Sequence, residues 1–275
     1  MTVPDPTSAL YLRADATTVV VFPTAGGRIG QITVGDQPLL VDLPAGAAHT
    51  MGWGSFPMAP WAGRIRGGRF TFDDVERRLA TNHVDGDGGP GRSHSIHGTT
   101  FTRSWSVVDQ TATAITMSCP LAGALEWPFG GTAHQHIEVA PDRLTCRLWI
   151  DTDDGEFPAE LGWHPWFRKP SRLEFTPTAM YARDEFGIPD GELVEPPGGP
   201  WDDCFGNTEP VVLHYDRQVA SGVAVTSDCE HWVVYDHPSD ATCVEPQSGP
   251  PDALNLAAHV VEPGTPLGRT MTIRW

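Results

Sequence analysis

The feature that most constrains the fold is a two-residue alternation in two neighbouring segments. Residues 132–139 and 143–151 carry mainly apolar side chains at every second position and polar side chains between them. Because successive side chains of a strand point to opposite faces, each segment is predicted to be a half-buried strand. Residues 270–275 repeat the pattern, and further β-rich runs lie between clusters of Gly, Pro, Asn and Asp at Thr18–Phe22, Ile29–Val34, Trp105–Val108, Ala112–Ser118, Val211–Tyr215, Val223–Thr226 and Trp232–Tyr235.

Short strands at this spacing, without helical patterns between them, predict an all-β fold, an antiparallel sandwich or barrel with few and short helices. The 29 Gly and 26 Pro among 275 residues argue against a helical bundle. No linker-like change of composition and no internal repeat interrupts the chain, so one domain is predicted over residues 1–275. Three stretches rich in Gly, Pro and polar residues are predicted to be long loops, at 51–69, 82–100 and 184–207.

Charge and cysteine content limit the classes of function. The chain has 18 basic and 35 acidic residues, a formal net charge of −17, which opposes binding to nucleic acid or to an anionic membrane surface. No signal peptide or membrane-spanning run is recognised, and the five cysteines form no C-x-x-C pair. These features predict a cytoplasmic protein with reduced thiols and a small-molecule ligand.

General catalytic and cofactor motifs are missing from the sequence, including phosphate-binding loops and the Gly-x-Ser-x-Gly and His-Glu-x-x-His patterns. His134, His136 and Glu138 share one strand face, which allows a cupin-like metal site as an alternative. We favour an exposed polar face for these residues, and we expect no metal and no cofactor.

Four segments far apart in the sequence carry the groups of most chemical interest. Arg64 lies among aromatic and small residues in 60–65, and His97 lies beside a glycine. Aromatic residues surround His164 in 161–167, and Glu245 lies in a turn-rich stretch that runs to Asn255. Read without further information, each of these residues also fits a structural role in a core, a turn or an ion pair.

Together the segments resemble the aldose 1-epimerases, the galactose mutarotase-like proteins. The resemblance covers nearly the whole chain, because the matching motifs occur in the family's order: Gly26-Gly27-Arg28-Ile29, Pro60 to Ile65, His97-Gly98 with Trp105, His164 to Phe167, Asp202 to Phe205, and Glu245-Pro246-Gln247 to Asn255. It implies a large antiparallel β-sandwich with few short helices, the galactose mutarotase-like super-sandwich. It also implies an enzyme that interconverts the α and β anomers of a free hexose. Polar catalysis of this kind needs no cofactor.

The resemblance also implies roles for individual residues. His164 resembles the general acid and Glu245 the general base, and His97 is placed with them in the catalytic set. Residues that resemble substrate contacts are Arg64, Asp202 (with Asp203 beside it as the other possibility), Trp163, Trp166 and Gln247. Two positions depart from the family: Gly63 stands where many relatives have Asn, and Trp166 where Tyr is common.

Other functions on the same scaffold stay open at this stage. A hexose-6-phosphate 1-epimerase needs a cationic phosphate pocket, for which Arg66, Arg69, Arg92 or Arg103 are the candidates. A non-catalytic sugar-binding protein would keep the aromatic platform and lose the acid or the base. The expected partner is a monosaccharide, with no nucleic acid or membrane, and the expected assembly is a monomer or homodimer.

Overall fold

The computed structural model describes residues 8–43, 51–85, 89, 91–216 and 220–275. The one α-helix of these residues is α1 (Ala253–Leu256), and short 3₁₀ turns span Pro23–Ala25 and Arg66–Gly68. All other regular structure is strand, in chain order β1 (Leu10–Ala14), β2 (Thr17–Phe22), β3 (Arg28–Val34), β4 (Gln37–Pro38), β5 (Ser55–Met58), β6 (Arg64–Ile65), β7 (Arg69–Phe72), β8 (Val75–Arg78), β9 (His83–Val84), β10 (Ser93–Ile96), β11 (Ser106–Gln110), β12 (Ala114–Pro120), β13 (Thr132–Ala140), β14 (Arg143–Asp151), β15 (Phe157–Ala159), β16 (Gly162–Arg168), β17 (Arg172–Glu174), β18 (Ala179–Arg183), β19 (Pro189–Val194), β20 (Asp202–Gly206), β21 (Val211–His214), β22 (Gly222–Ser227), β23 (His231–Tyr235), β24 (Ala241–Gln247), β25 (His259–Val261) and β26 (Leu267–Arg274).

Two large antiparallel sheets dominate the fold. The first has eleven strands in the order β1-β2-β3-β5-β16-β24-β23-β20-β18-β19, with β4 paired to β3. The second has eight strands in the order β11-β12-β13-β14-β26-β22-β21-β17. Smaller sheets are β6-β10-β9, β7-β8 and β15-β25. The structure thus confirms the prediction of a large antiparallel β-sandwich with few short helices.

The two large sheets share one hydrophobic core. The alternate side chains of β14 from Leu144 to Ile150 are fully buried, as the sequence pattern predicts, and they belong to the same apolar cluster as residues of the first sheet. Gln135 is the polar exception on the inner face of β13. Its Nε2 donates to the carbonyl of Gly27 (2.7 Å), and its Oε1 accepts from Trp163 Nε1 (3.2 Å). These bonds satisfy its buried amide and join the two sheets.

The prediction of three long loops is wrong in part. β5 lies inside 51–69 and occupies the middle of the eleven-stranded sheet, between β3 and β16. The other two stretches contain β9 with β10, and β19 with β20. All four residues of β5 are buried, and a strand covered on both faces shows no alternation of polar and apolar residues. Without alternation, the only visible signal in 51–69 was its glycines and prolines, which are typical of a loop.

Two further properties concern the whole described chain. Within the described ranges, no helix combines the length and the apolarity that crossing a bilayer requires. All five cysteines are buried and present as free thiols.

Candidate active site

A cavity of about 240 Å³ opens on the face of the eleven-stranded sheet that lies away from the second sheet. Strands β16, β24, β23 and β20 form its floor, and the segments around β6, β9 and β10 form its wall. The lining residues are Met51, Gly63, Arg64, His83, Ile96, His97, His164, Trp166, Asp202, Val233, Tyr235, Glu245, Gln247 and Pro251. Seven of the eight residues predicted for the site are in this set.

His164 and Glu245 meet because their strands are neighbours in the sheet. In the antiparallel ladder of β16 and β24, Gly162 lies opposite Gln247, and this register places His164 opposite Glu245. The imidazole Nε2 lies 3.4 Å from the carboxylate Oε1, and the two side chains are only 8% and 4% exposed. Gln247 Nε2 donates to the other oxygen, Oε2, at 3.3 Å. The carboxylate is thereby held with one oxygen facing the imidazole.

Burial acts on this pair in opposite directions. Desolvation, with a smaller contribution from the Arg28 cation, lowers the pKa of His164 from 6.5 to about 3. Desolvation, with the nearby Asp202, raises the pKa of Glu245 well above 4.5. Burial therefore disfavours a state in which both His164 and Glu245 are protonated, and it also disfavours a state in which His164 is neutral and Glu245 is ionised. The pair holds one proton between its two groups over a wide pH range.

His97 approaches the same pair from a strained turn. Its ring centroid lies 5.0 Å from that of His164, with the ring planes nearly perpendicular. The residue has a φ of 63°, an unfavourable backbone conformation for a non-glycine residue that is often found at functional sites. Gly98 makes the turn possible, because a Cβ there would lie 2.0 Å from the carbonyl oxygen of Ala59. Burial and the adjacent His164 lower the pKa of His97 well below 6.5, so its imidazole is neutral.

Arg64 projects from β6 into a small network of charged and polar side chains. Its Nη2 lies 3.1 Å from Asp85 Oδ1, and the same oxygen lies 2.8 Å from His83 Nε2. The fully buried His94 brings its Nε2 within 3.2 Å of Asp85 Oδ2, and its Nδ1 accepts a hydrogen bond from the backbone of Gly67. The Arg64 cation and the hydrogen bonds from His83 and Arg64 outweigh desolvation and hold the pKa of Asp85 below 3.8. Asp85 therefore carries the negative charge that anchors Arg64.

Strand register separates the two neighbouring carboxylates of β20. Asp202 pairs with Tyr235, and both residues line the cavity, whereas Asp203 points to the other side of the strand and lies 2.6 Å from Arg183 Nε. Desolvation raises the pKa of Asp202, and the more distant Arg183 (3.9 Å) opposes this shift. Of the two alternatives left by the sequence, Asp202 is thus the carboxylate at the cavity.

Trp163 is the one predicted site residue that lies elsewhere. Because side chains alternate along β16, His164 and Trp163 point to opposite faces, and Trp163 is fully buried in the core against Gln135. The prediction of a substrate contact for Trp163 is therefore wrong. Trp166 lies on the cavity side, and its ring stacks parallel on His164 at 5.2 Å with an interplanar angle of 5°.

The sequence missed several residues that line the cavity. Tyr235 and Val233 come to the site only because β23 pairs with β24, and His83 comes to it from β9, inside a stretch predicted to be a loop. Residues two apart on a strand share a face, so Val233 and Tyr235 lie on the same side of β23. That side can be assigned to the cavity only after the pairing of β23 with β24 is known. His83 carried no such signal in the sequence.

Among the described residues, His134, His136 and Glu138 of β13 are not brought together as a set of metal ligands. His134 stacks on Trp149 with centroids 4.9 Å apart and contacts Asp151 at 3.1 Å, while His136 Nδ1 lies 2.9 Å from the Thr116 hydroxyl. Both histidines lie on the outer face of the second sheet. They form the polar strand face that the sequence analysis favoured, away from the cavity.

Comparisons with known proteins agree with this architecture. The galactose 1-epimerase of Lactobacillus acidophilus NCFM superimposes with a TM-score of 0.79 at 17% identity, covering 97% of this chain and 93% of that chain. A galactose mutarotase-like protein of Clostridium acetobutylicum gives a TM-score of 0.80 at 14% identity, covering 96% and 94%. At these identities the likeness establishes the fold.

Sequence comparison establishes the family. The uncharacterised protein YphB of Escherichia coli (strain K12) is 27% identical over 113 residues, which span 41% of this chain and 36% of that relative. The family model described as Aldose 1-epimerase matches residues 8–273. Because this match covers nearly the entire sequence, the chain belongs to the aldose 1-epimerase family.

Proposed function

We propose that this protein is an aldose 1-epimerase that interconverts the α and β anomers of a free hexose. The observation that carries the proposal is the buried pair of His164 and Glu245, 3.4 Å apart, at the floor of a small cavity. Its volume of about 240 Å³ lies below the range of about 300–1,000 Å³ for pockets that take drug-sized ligands. This size fits a single monosaccharide.

The chemistry requires one group that takes a proton and one that gives a proton. Glu245 accepts the proton of the C1 hydroxyl, while His164 donates a proton to the ring oxygen as the C1–O5 bond breaks. The open-chain aldehyde rotates about C1–C2, and the C5 hydroxyl then attacks the other face of the carbonyl. In this closure His164 takes the proton of the attacking hydroxyl, and Glu245 returns a proton to the carbonyl oxygen.

The opposite pKa shifts favour a neutral imidazole and a protonated carboxyl group, so ring opening starts once the shared proton has passed from Glu245 Oε1 to His164 Nε2, 3.4 Å away. One proton moves between the two groups during opening and returns during closure, so the pair's total proton count is the same before and after turnover. Burial disfavours a doubly protonated pair and an unprotonated pair, and either of these would block one of the two steps. His97, with a neutral ring beside His164, is placed to hydrogen-bond the sugar near its ring oxygen.

Substrate contacts follow from the polar groups that line the cavity. Arg64 and Asp202 supply a cation and a carboxylate to the hydroxyl groups, and Gln247 supports Glu245. The indole of Trp166 supplies a flat apolar face for the C–H side of the ring. Together these contacts support roles for all the predicted binding residues except Trp163.

The distribution of charge favours a free sugar over a sugar phosphate. Arg64 is paired with Asp85 at 3.1 Å, so the cation at the cavity already has a counter-charge. The four arginines considered for a phosphate pocket do not line the cavity and have other partners: Arg66 with Asp184, Arg69 with Glu76, Arg92 with Glu185, and Arg103 with the carbonyls of Leu121 and Ala122. A phosphate dianion would meet no uncompensated cluster of these cations.

Polarimetry tests the proposal. Freshly dissolved α-glucose or α-galactose should relax to its anomeric equilibrium faster with the purified protein than without it, and NMR exchange between the anomeric protons should increase in parallel. Glucose 6-phosphate, assayed by the same NMR exchange, should show much less acceleration. Unchanged relaxation of a panel of free hexoses would contradict the enzyme, and tight sugar binding without acceleration would favour a sugar-binding protein.

A further inference from the structure

A third potential ligand lies beside the proposed acid and base. Cys243 is two residues before Glu245 on β24, so both side chains are on the same face of the strand, and the register places Cys243 opposite Trp166. One ligand atom each from His164, Cys243 and Glu245 lie within 4.8 Å of one another. The mutarotase mechanism uses the imidazole and the carboxylate but gives the thiol no role.

The three atoms are nearly close enough to share one ion. For three atoms that are at most 4.8 Å apart, there is always a point within about 2.8 Å of all three. Zinc bonds to sulfur, imidazole nitrogen and carboxylate oxygen are about 2.0–2.3 Å long. Movements of about 0.5–0.8 Å by the side chains would therefore complete the coordination.

The surroundings define what kind of ion fits. Cys243 is fully buried, whereas His164 and Glu245 line the cavity, so an ion would enter from the cavity and keep one open position towards it. Gln247 already engages Oε2 of Glu245, which leaves Oε1 for the ion. A thiolate, an imidazole and a carboxylate form a ligand set that zinc accepts and that magnesium or calcium does not favour.

We propose that His164, Cys243 and Glu245 form an inhibitory site for Zn²⁺ at the floor of the cavity. Binding releases the thiol proton and the proton shared by the pair to the buffer, and the metal is bound by sulfur, nitrogen and oxygen. No bond within the protein is broken, and a chelator reverses the step. The bound ion occupies both proton-transfer groups, so it blocks mutarotation and competes with the sugar.

Cobalt substitution tests the site without any need for turnover. Co²⁺ bound to the purified protein should give a thiolate-to-metal charge-transfer band and the d–d absorption of a four-coordinate ion, and Zn²⁺ should abolish both signals by displacement. Cys243→Ala should lose the charge-transfer band and bind Zn²⁺ at least about tenfold more weakly by calorimetry. His134→Asn, which removes a histidine on the outer face of the second sheet, should leave both results unchanged.

Activity gives a second readout. Zn²⁺ should inhibit the wild-type protein competitively with sugar, EDTA should restore activity, and Mg²⁺ should have no effect. Cys243→Ala should retain mutarotation and resist inhibition by Zn²⁺. If circular dichroism shows that the alanine variant is unfolded, Cys243→Ser is used in its place. The proposal is overturned if Co²⁺ gives no charge-transfer band or if both Cys243 variants bind Zn²⁺ as tightly as the wild type. A protein inactive on sugars that still shows the cobalt band would refute the mutarotase function and keep the metal site.

Discussion

His164 Nε2 and Glu245 Oε1 lie 3.4 Å apart because the two residues face each other across the neighbouring antiparallel strands β16 and β24. The pairs Gly162 with Gln247 and Trp166 with Cys243, on either side of them, set the strand register that brings the two residues together. Strand positions of this kind hold catalytic groups more accurately than loops do.

This relationship predicts the effect of removing either group. His164→Asn and Glu245→Gln should each lower kcat by about 10²–10⁴-fold, because each removes one proton-transfer group and keeps a similar side-chain shape. The double variant should be little worse than the single variants, since the two groups act as a unit. NMR exchange of anomeric protons measures these rates. Near wild-type activity in either single variant would contradict the proposed roles.

The pKa shifts predict an unusual pH profile. The pKa of His164 is lowered to about 3, so the second proton binds to the pair only as the pH approaches that value. The plot of kcat/KM against pH should therefore stay flat through 6.5 and fall only in much more acidic solution. The fall of kcat/KM in basic solution should occur at a pH well above 4.5, because the pKa of Glu245 is raised. Circular dichroism at each pH confirms folding, and an acid limb centred near 6.5 would refute the prediction.

Asp85 is predicted to act through Arg64. Asp85→Asn removes the charge that holds the guanidinium at 3.1 Å, so KM for the sugar should rise about tenfold, equivalent to about 1.4 kcal/mol, with a smaller change in kcat. Asp184→Asn is the matched control. Asp184 pairs with Arg66 at 2.7 Å outside the cavity, so its loss should leave KM unchanged. Equal effects of the two substitutions would argue against a specific role for Asp85.

Gly63 is predicted to be constrained by Pro251. Gly63 has a φ of 61°, and a Cβ there would lie 3.0 Å from the Cβ of Pro251. Gly67 has a similar φ of 58° and no atom within 4 Å of such a Cβ. Gly67→Ala should therefore cost only the left-handed backbone penalty of about 1–2 kcal/mol, and Gly63→Ala should cost more. Urea denaturation measures both, and equal losses would show that Pro251 imposes no constraint.

Glu160 is predicted to make stability depend on pH. It is fully buried, accepts a hydrogen bond from the backbone of Ala62 at 3.2 Å, and burial raises its pKa well above 4.5. Above pH 4.5 the unfolded chain loses this proton while the folded protein keeps it, so stability falls as the pH rises through the folded pKa. The contribution to the slope approaches about 1.4 kcal/mol per pH unit.

Replacing this carboxyl group tests the slope. Glu160→Gln should decrease the loss of unfolding free energy between pH 5 and 8, measured by urea denaturation at several pH values. Glu76→Gln, at an exposed carboxylate paired with Arg69, should leave the slope as it is. A slope that Glu160→Gln does not change would mean that Glu160 is ionised in the folded protein.

Much of the fold is encoded locally and was predicted from the sequence. The alternation in β13 and β14 follows directly from a sheet with one face in the core, so strand identity and the inward-facing side chains could be derived residue by residue. The motifs around His164 and Glu245 predicted two groups that the structure brings together at the cavity. β5 escaped prediction because a strand buried on both faces carries no alternation.

What the sequence by itself determined is the all-β class and which residues are proposed as the acid, the base and most of the polar groups around them. Only the tertiary structure decided which strands are neighbours, and with it that Asp202 and not Asp203 reaches the cavity, that Trp163 faces the core, and that Cys243 lies beside His164 and Glu245. The physical reason is that alternation along one strand defines two faces, whereas the assignment of each face to core or cavity depends on long-range pairing between strands distant in the chain.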